Sequence, residues 1–213
     1  MKPDLYLDIL NKKRLEILKI ISKGFINSNY LAGGTALALQ IRHRQSYDFD
    51  LFQNKEISLQ IKNKTIKSFK NHAIKTLVDT KDEFSFILDN EIKITLLNYF
   101  WRPIVPLIRN ANIIPLLSIK EIALTKAFTI GRRGAYRDYF DLYVIIKNKY
   151  ISMKKIIEGC EKKYGDLFSE RMFLEQLSYT DDIVHDSNLV FLNEKKISIK
   201  EINKFFKREI KKL

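Results

Sequence analysis

The spacing of apolar residues divides the chain into a first half that mixes helices with strands and a second half dominated by helices. In the first half, apolar residues recur three and four positions apart or on alternate positions, which are the periods of amphipathic helices and half-buried strands. The predicted elements are helices at about residues 9–23, 35–43 and 56–71 and strands at about residues 30–32 and 47–52.

The stretch FSFILDNEIKITLLNY predicts a β-hairpin, because two β-prone runs flank Asp89 and Asn90, which favour tight turns. Further along, the letters SIKE occur at 118–121 and again at 198–201. Each copy has the form of a capping box, in which a serine and a glutamate close the first turn of a helix. The pattern therefore predicts that a helix begins at each copy.

Three prolines between residues 103 and 115 predict an irregular connection, and helical patterns prevail after it. We therefore predict two domains, residues 1–112 and residues 113–213. The predicted fold class is α/β, of the α+β kind, with a small mixed β-sheet core flanked by helices and followed by a C-terminal helical domain.

The composition is typical of a globular protein, since 46% of the 213 residues are apolar. No run approaches the roughly 18 apolar residues that a membrane-spanning helix needs, and the first residues lack the features of a signal peptide. The single cysteine, Cys160, cannot form an internal disulfide and suits a reducing compartment. We therefore expect a cytoplasmic protein with no membrane partner.

The formal net charge of +13 comes from lysines that are dense in NKEISLQIKNKTIKSFKNHAIK and in NEKKISIKEINKFFKREIKKL. Basic surfaces of this kind attract polyanions by neutralising phosphates and releasing counterions. The same lysines also fit a solvated surface in a composition rich in Lys, Ile and Asn. The charge by itself leaves both interpretations open.

The candidate chemistry lies in LAGGTALALQIRHRQSYDFDLF, residues 31–52. Asp48 and Asp50 are two positions apart in a predicted strand, so their side chains share one face while Phe49 and Leu51 point into the core. Two carboxylates aimed at one point suit a divalent metal that is also held by polyphosphate oxygens. We predict that these aspartates are catalytic and bind the metal.

Gly33 and Gly34 precede the second helix and complement the aspartates. Without Cβ atoms they let the backbone approach a phosphate closely, and the helix start directs N–H groups and the positive end of the dipole at that anion. Thr35 can cap the helix or bond a phosphate oxygen. Arg44 and Ser46 lie in HRQS, directly before the first aspartate. We predict that these five residues bind a nucleotide.

This stretch resembles the leading motif of the AbiEii/AbiGii-type nucleotidyltransferase toxins, a branch of the polymerase-β-like nucleotidyltransferase superfamily. The family's second landmark resembles SIKEIALTKAFTIGRRGAYRDYFDLYVI. There, a helix carrying Lys126 is followed by an arginine-bearing turn and by Arg137, Asp138 and Asp141. The landmarks occur in the family's order, and the resemblance spans roughly residues 28 to 148.

The resemblance implies a metal-dependent nucleotidyltransferase that uses Mg²⁺ or Mn²⁺ and an NTP, with the helical domain completing the active-site cleft. Lys126 would contact the nucleotide, and Asp141 would be a catalytic residue that positions a base, an acceptor or the lysine. Arg137 and Asp138 would join the nucleotide site. From the residues alone, Asp138 also fits a first-turn acid that stabilises its helix dipole, with Arg137 as a surface pair.

One position departs from the superfamily pattern, in which a third carboxylate often lies on a later strand. The corresponding segment, EIKITLLNYF, has Thr95 at that place, while Asp89 and Glu91 lie near the hairpin turn. The third acid normally helps to deprotonate the attacking hydroxyl and to hold a second metal. Either a water, an acceptor group or Asp141 takes this role, or activity is reduced.

The resemblance also implies an acceptor hydroxyl on RNA, such as the 3′ end of tRNA, or on a protein. It further implies a toxin that is paired with an antitoxin encoded by a neighbouring gene. Two other functions stay open at this point. An inactive module that binds nucleotide or nucleic acid would explain the missing acid, and a kinase-like phosphotransferase would release a nucleoside diphosphate instead of pyrophosphate.

Overall fold

The computed structural model describes residues 5–25, 29–130, 132–180, 183 and 189–213. The chain divides into two compact units, residues 1–118 and residues 119–213. The first unit is built on a mixed β-sheet flanked by helices, and the described part of the second consists of helices and their connections. The predicted fold class is therefore confirmed.

The first unit contains one mixed sheet, whose seven strands lie in the order β3-β4-β5-β2-β1-β7-β6. Its helices are α1 (Lys12–Phe25), α2 (Gly33–Ile41) and α3 (Leu59–Ser68), after a 3₁₀ turn at Leu7–Ile9. Its strands are β1 (Tyr30–Ala32), β2 (Phe49–Gln53), β3 (Ile74–Asp79), β4 (Glu83–Leu88), β5 (Ile92–Asn98), β6 (Ile108–Asn110) and β7 (Ile113–Leu116). The pairs β2–β5 and β1–β7 are parallel, and the other neighbours are antiparallel.

The predicted hairpin is formed by β4 and β5, which pair in antiparallel register from Glu83↔Leu97 to Leu88↔Ile92. Asp89 and Asn90 have φ angles of 52° and 58°. The Glu91 N–H donates to the Leu88 carbonyl oxygen at 2.9 Å, which closes a β-turn with Asp89 and Asn90 at its central positions, and Asp and Asn tolerate this left-handed conformation better than most residues. The sequence thus predicted both the strands and the turn that fixes their register.

The strands β3, β6 and β7 were not predicted, and the last two lie in the segment whose prolines predicted irregular structure. Pro115 is tolerated in β7 because a strand this short uses few ladder bonds. β7 pairs with β1 at Leu31↔Leu116, and the Ile114 N–H donates to Ser22 Oγ of α1 at 3.0 Å. A serine side chain of α1 therefore accepts the hydrogen bond of a β7 N–H group that a neighbouring strand would otherwise accept. With β7, the sheet extends beyond residue 112.

The core of the first unit places β2 so that Asp50 lies on the less buried face of the strand. Phe49 and Leu51 are fully buried, as alternation along a strand predicts, whereas Asp50 and Phe52 are half-buried. Asp48 directly precedes the strand. Burial of the apolar face stabilises this register, because a slip of one residue would turn the aspartate inward.

The described residues of the second unit form helices that pack around apolar residues of α4 and α5. Its helices are α4 (Ile119–Ile130), α5 (Tyr136–Lys147), α6 (Met153–Tyr164), α7 (Glu170–Ser178) and α8 (Ile199–Ile210), with a 3₁₀ turn at Gly165–Leu167. The capping box predicted at Ser198 and Glu201 opens α8. Glu121 of the other SIKE copy is fully buried and accepts a hydrogen bond from Lys163 at 2.5 Å. No helix among the described residues is long and apolar enough to cross a bilayer.

Candidate functional site

The carboxylate of Asp50 lies at the turn that joins β1 to α2. Asp50 pairs in register with Ala32 of β1 on one side and with Thr95 of β5 on the other. Because Ala32 directly precedes Gly33, this register brings the start of α2 against the carboxylate. A Cβ atom built on Gly33 would lie 2.2 Å from Asp50 Oδ2. Glycine is required here by contact as well as by its φ of +67°.

Arg44 and Ser46 lie against the second glycine of the turn. A Cβ atom on Gly34 would lie 2.5 Å from Arg44 Nη2 and 3.0 Å from Ser46 Oγ. Arg44 is buried, and its Nη1 donates to the Gln45 carbonyl oxygen at 3.0 Å. The first turn of α2 has N–H groups without intrahelical acceptors. The guanidinium and the helix start therefore place positive charge at the same spot, which suits an anion.

Thr35 connects α2 to the segment that carries the aspartates. Its hydroxyl donates to the Asp48 carbonyl oxygen and lies 2.9 Å from Ser46 Oγ, within hydrogen-bonding distance. The side chain is buried. The N-cap of α2 is Ala32, which makes no side-chain capping bond. Thr35 therefore does not act as the cap that the sequence suggested, and its hydroxyl instead fixes the residues that lead into β2.

We expect Gly33→Ala to abolish nucleotide binding. The new methyl group would displace the Asp50 carboxylate, and the left-handed backbone would add a cost of about 1–2 kcal/mol. The measurements are the affinity for a magnesium nucleoside triphosphate and the free energy of unfolding. Gly165→Ala is a matched control, because Gly165 has a φ of +53° but nothing within 4 Å of the added Cβ. Equal nucleotide affinity in the two variants would contradict the assigned contact.

Hydroxyl groups occupy the neighbouring strand positions where the superfamily often has an acid. Thr95 pairs with Asp50 on one side and with Ser85 of β4 on the other. Both hydroxyl-bearing residues are buried. The missing third carboxylate is therefore a property of the folded sheet as well as of the sequence.

The two acids near the hairpin turn are engaged with other residues. Glu91 binds Lys13 at 3.1 Å and Arg14 at 2.9 Å, and the hydrogen bond from Lys13 is the main cause that lowers its pKa. A hydrogen bond with His72 is the main cause that lowers the pKa of Asp89 to about 2. Glu91 also precedes Thr95 by four residues, about 13 Å along a strand. Neither acid replaces the missing one.

The second unit brings Lys126 of α4 together with two aspartates of α5. Lys126 Nζ lies 2.6 Å from Asp138 Oδ1 and 2.7 Å from Asp141 Oδ2. Both aspartates are fully buried, and Lys126 is 7% exposed. Asp138 also accepts from Arg133 Nε at 2.8 Å. Three of the four residues predicted from the second landmark thus form one buried ion-pair cluster, which does not include Arg137.

Arg133 is the residue of this cluster that sequence reasoning missed. The predicted surface pair for Asp138 was its neighbour Arg137, which is half-buried in the first turn of α5. Asp138 instead makes its ion pairs with Lys126 and Arg133. The sequence showed an arginine-bearing turn between the two helices, but spacing alone does not indicate which arginine folds back.

The pKa of Asp138 is lowered, although burial by itself would raise it, because the charges of Lys126 and Arg133 outweigh desolvation. The unfolded chain therefore binds a proton first as the pH falls. We expect the stabilisation from Asp138 to be complete above its ordinary pKa of 3.8 and to be lost as the pH falls through its lower folded value. The measurement is the free energy of unfolding against pH for the native chain and for Asp138→Asn. A constant difference between them across the acid range would contradict the assignment.

The chain is similar to known proteins in both sequence and structure. The family model described as "Nucleotidyl transferase AbiEii toxin, Type IV TA system" matches residues 17–212. An uncharacterized protein of Aquifex aeolicus is 31% identical over 209 residues, which are 95% of this chain and 96% of that protein.

Solved structures share the fold at low sequence identity. A putative nucleotidyltransferase from Helicobacter pylori is similar with a TM-score of 0.56 and 17% identity, over 96% of this chain and 97% of that one. The nucleotidyltransferase toxin MenT4 from Mycobacterium tuberculosis is similar with a TM-score of 0.63 and 13% identity, over 92% of this chain and 81% of that one. At these identities the structural likeness shows the fold.

Proposed function

Because the chain belongs to the AbiEii family of nucleotidyl transferase toxins, we propose that it moves a nucleoside monophosphate from an NTP to an acceptor hydroxyl with the help of a divalent metal. Its nucleotidyltransferase activity and its toxin class follow from the family. The metal, the residues that bind it and the acceptor are our proposals. The observation that carries them is the contact between the Gly33 turn and the Asp50 carboxylate.

The donor set of the first unit fits one Mg²⁺ or Mn²⁺ ion bound together with a triphosphate. No group of three or more His, Cys, Asp or Glu residues that could hold a metal occurs among the described residues. Magnesium in phosphoryl-transfer sites is commonly held by one or two carboxylates plus substrate phosphates. Asp48 and Asp50 would supply those carboxylates. When bound, the ion would neutralise phosphate charge and favour attack at phosphorus.

The turn that follows β1 would hold the triphosphate. Backbone N–H groups of Gly33, Gly34 and Thr35 would donate to phosphate oxygens, since no Cβ at either glycine keeps the anion away. Arg44 would add a fixed positive charge and Ser46 a hydroxyl donor. These groups act by positioning and by electrostatic stabilisation, which supply most of the catalysis in phosphoryl transfer.

Residues of the second unit would act on the same substrate. An ammonium group has three N–H donors, and Asp138 and Asp141 accept two of those of Lys126. The third would bind a phosphate oxygen as pyrophosphate leaves, with Arg137 nearby in sequence as a further phosphate ligand. We propose that Asp138 holds the lysine in place. Asp141 would hold the lysine as well or position the acceptor.

The reaction would be an in-line displacement at the α-phosphorus. The acceptor oxygen forms a bond to that phosphorus, the bond to the β-phosphate breaks, and pyrophosphate carries away the electron pair. The hydroxyl proton passes to a water, to a group of the acceptor or to Asp141, because Thr95 stands where a third acid would take it. Release of pyrophosphate distinguishes this reaction from that of a kinase-like phosphotransferase.

We propose RNA, such as the 3′ end of tRNA, as the acceptor ahead of a protein hydroxyl. The net charge of +13 supports a polyanionic partner. A type IV toxin–antitoxin system, which the family description names, implies a cognate antitoxin. We also propose a cytoplasmic location, where NTPs and tRNA are available and where the single cysteine stays reduced.

A second candidate function is a catalytically weak or inactive binding module on the same scaffold. Thr95, in register with Asp50, favours it because a hydroxyl does not replace a metal-binding carboxylate. Such a module should bind RNA as well or better without Asp48 and Asp50, since loss of negative charge helps a polyanion to dock. A transferase should lose turnover instead.

Label transfer tests the proposal directly. The protein is incubated with Mg²⁺, each α-labelled NTP in turn, and total RNA or a cell extract. We expect a labelled RNA band and release of pyrophosphate, and neither product in the Asp48→Ala/Asp50→Ala protein. A labelled protein band would move the acceptor to protein. Absence of label with every nucleotide, alongside intact RNA binding, would favour the binding module.

A further inference from the structure

An aromatic strip starts at Phe52, which shares one face of β2 with Asp50. Phe52 lies two residues after Asp50 in β2, so alternation puts both side chains on one face, about 7 Å apart along the strand. The Phe52 ring stacks on Tyr99 with 4.7 Å between centroids. Tyr99 contacts Trp101 at 5.5 Å, and Trp101 contacts Phe100 at 6.0 Å. We call Phe52, Tyr99, Phe100 and Trp101 the aromatic strip.

The outer end of the aromatic strip is open to solvent. Phe100 is 81% exposed, the largest exposure among the described large apolar side chains. Its neighbour Trp101 is half-buried. A protein does not need an exposed phenylalanine beside a tryptophan for its own packing, because burial of such rings is strongly favourable. This end of the strip is therefore suited to a ligand with flat apolar faces.

A groove of about 690 Å³ adjoins the strip where β1 begins and β2 ends. Among the described residues, its lining includes two arginines and no carboxylate; the polar members are Asn29, Gln53, Asn54, Arg102 and Arg109. With its amide in the orientation that satisfies its hydrogen bonds, Asn54 accepts from Arg102 at 2.7 and 3.1 Å. This contact holds the guanidinium in place. The groove therefore presents a fixed positive charge.

We propose that the aromatic strip and this groove bind a single-stranded segment of the acceptor RNA, with its reacting end directed at Asp48 and Asp50. The inference rests on the proposed transferase function and names where its substrate docks. Aromatic rings stack any base, and arginines bind the phosphates between bases. The buried amides of Asn29 and Gln53 bind each other, since Asn29 Nδ2 donates to Gln53 Oε1 at 3.2 Å, so the arginines are left as the polar groups that meet the RNA. The groove volume also falls in the range of pockets that bind a small molecule, so one nucleotide of the RNA would fit.

The position of the strip favours RNA over a protein partner. A chain that follows the strip from Phe100 through Tyr99 to Phe52 arrives about 7 Å from Asp50, close to the length of one nucleotide step. An acceptor must bring its terminal hydroxyl to that place. A regulatory protein has no such requirement, and the acid-free lining of the groove matches the phosphates of a nucleic acid.

Anisotropy of a short fluorescein-labelled single-stranded RNA, measured without NTP or metal, tests the proposal. We expect Phe100→Ala to weaken binding about five-fold or more with an unchanged salt dependence, because it removes stacking. We expect Arg102→Ala/Arg109→Ala to lower the slope of log affinity against log salt by about 0.7 for each phosphate that is no longer neutralised. Both sites are exposed, so the melting temperature should stay near that of the native chain.

Matched controls remove the same groups from α3. Leu59→Ala deletes another exposed apolar side chain, and Lys64→Ala/Lys67→Ala deletes two exposed positive charges. The proposal is overturned if these variants weaken RNA binding while the strip variants do not. It is also overturned if the strip variants bind RNA normally but lose a co-expressed antitoxin, since the strip is then a protein interface.

The same assay separates this proposal from the proposed function. Asp48→Asn/Asp50→Asn should keep the RNA affinity, because the strip and the groove are intact. If that variant and the native chain bind RNA through the strip but no label is ever transferred, the strip stands and the transferase proposal fails. If label transfer succeeds while strip variants bind RNA and accept label normally, the transferase stands and the strip proposal fails.

Discussion

Asp50→Asn is expected to lower the rate of nucleotide transfer by about a thousand-fold or more while the protein stays folded. The amide keeps the shape of the carboxylate but loses the negative charge that binds the metal, and the metal in turn binds the triphosphate. Asp48→Asn should have an effect of similar size, because both carboxylates are proposed to bind the same ion. The measurement is single-turnover transfer of an α-labelled nucleotide, with the melting temperature measured in parallel.

Asp166→Asn is the matched control for this prediction. Asp166 is an exposed aspartate in the 3₁₀ turn after α6. The same chemical change there should leave transfer unchanged. An Asp50→Asn protein that is folded and transfers label at more than a tenth of the native rate would rule out a metal site built on this residue. A similar loss in Asp166→Asn would show that the assay reports general damage.

Lys126→Met is expected to reduce the free energy of unfolding by about 3–5 kcal/mol. The change removes the cation from between two fully buried carboxylates, Asp138 and Asp141. Arg133 still forms an ion pair with Asp138. The loss of the positive charge of Lys126 therefore destabilises the buried carboxylate of Asp141 more than that of Asp138. The measurement is chemical denaturation of the full chain, with transfer activity assayed under conditions where the variant is folded.

A double variant separates the structural role of Lys126 from its catalytic role. Adding Asp141→Asn to Lys126→Met removes the excess negative charge and should recover part of the lost stability. The Asp141→Asn single variant measures the activity that is lost with Asp141 itself, and the double variant should stay well below that level because no ammonium group remains for the departing pyrophosphate. If activity returns together with stability, Lys126 only stabilises the helical unit. If stability does not change in Lys126→Met, the buried cluster contributes little to folding.

The hydrogen bonds of Thr35 show how sequence and structure differ in what they reveal. Gly-Gly-Thr before a helix predicted a phosphate-binding turn in which Thr35 caps the helix or binds a phosphate oxygen. The turn could be predicted because glycine adopts the left-handed conformation easily and lets the backbone come close to a phosphate. The hydroxyl of Thr35 binds Asp48 and Ser46 instead, because β2 returns beside α2 once β1 and β2 pair. No local pattern contains that pairing.

Interactions between residues close in the chain allowed several elements to be predicted from the sequence. The β4–β5 hairpin follows from two β-prone runs around Asp89 and Asn90, and the start of α8 follows from its capping box. β1 lies at the predicted residues, 30–32, and alternation predicted which residues of β2 are buried. Helix limits moved by a few residues because end turns depend on packing. These features depend on residues close in the chain, which is why the pattern sufficed.

The sequence by itself determined the mixed α/β class, the helical second half, the residues that resemble family motifs and the absence of an acid at Thr95. Tertiary structure decided the rest. It made strands of β6 and β7 in a segment that contains prolines, brought Asp50 against Gly33 through strand register, and joined Arg133 to the cluster of Lys126 and Asp138. It also stacked Tyr99 on Phe52, which shares one face of β2 with Asp50. Such contacts join residues far apart in the chain, and they exist only when burial of the core has fixed the register of the sheet and the packing of the helices.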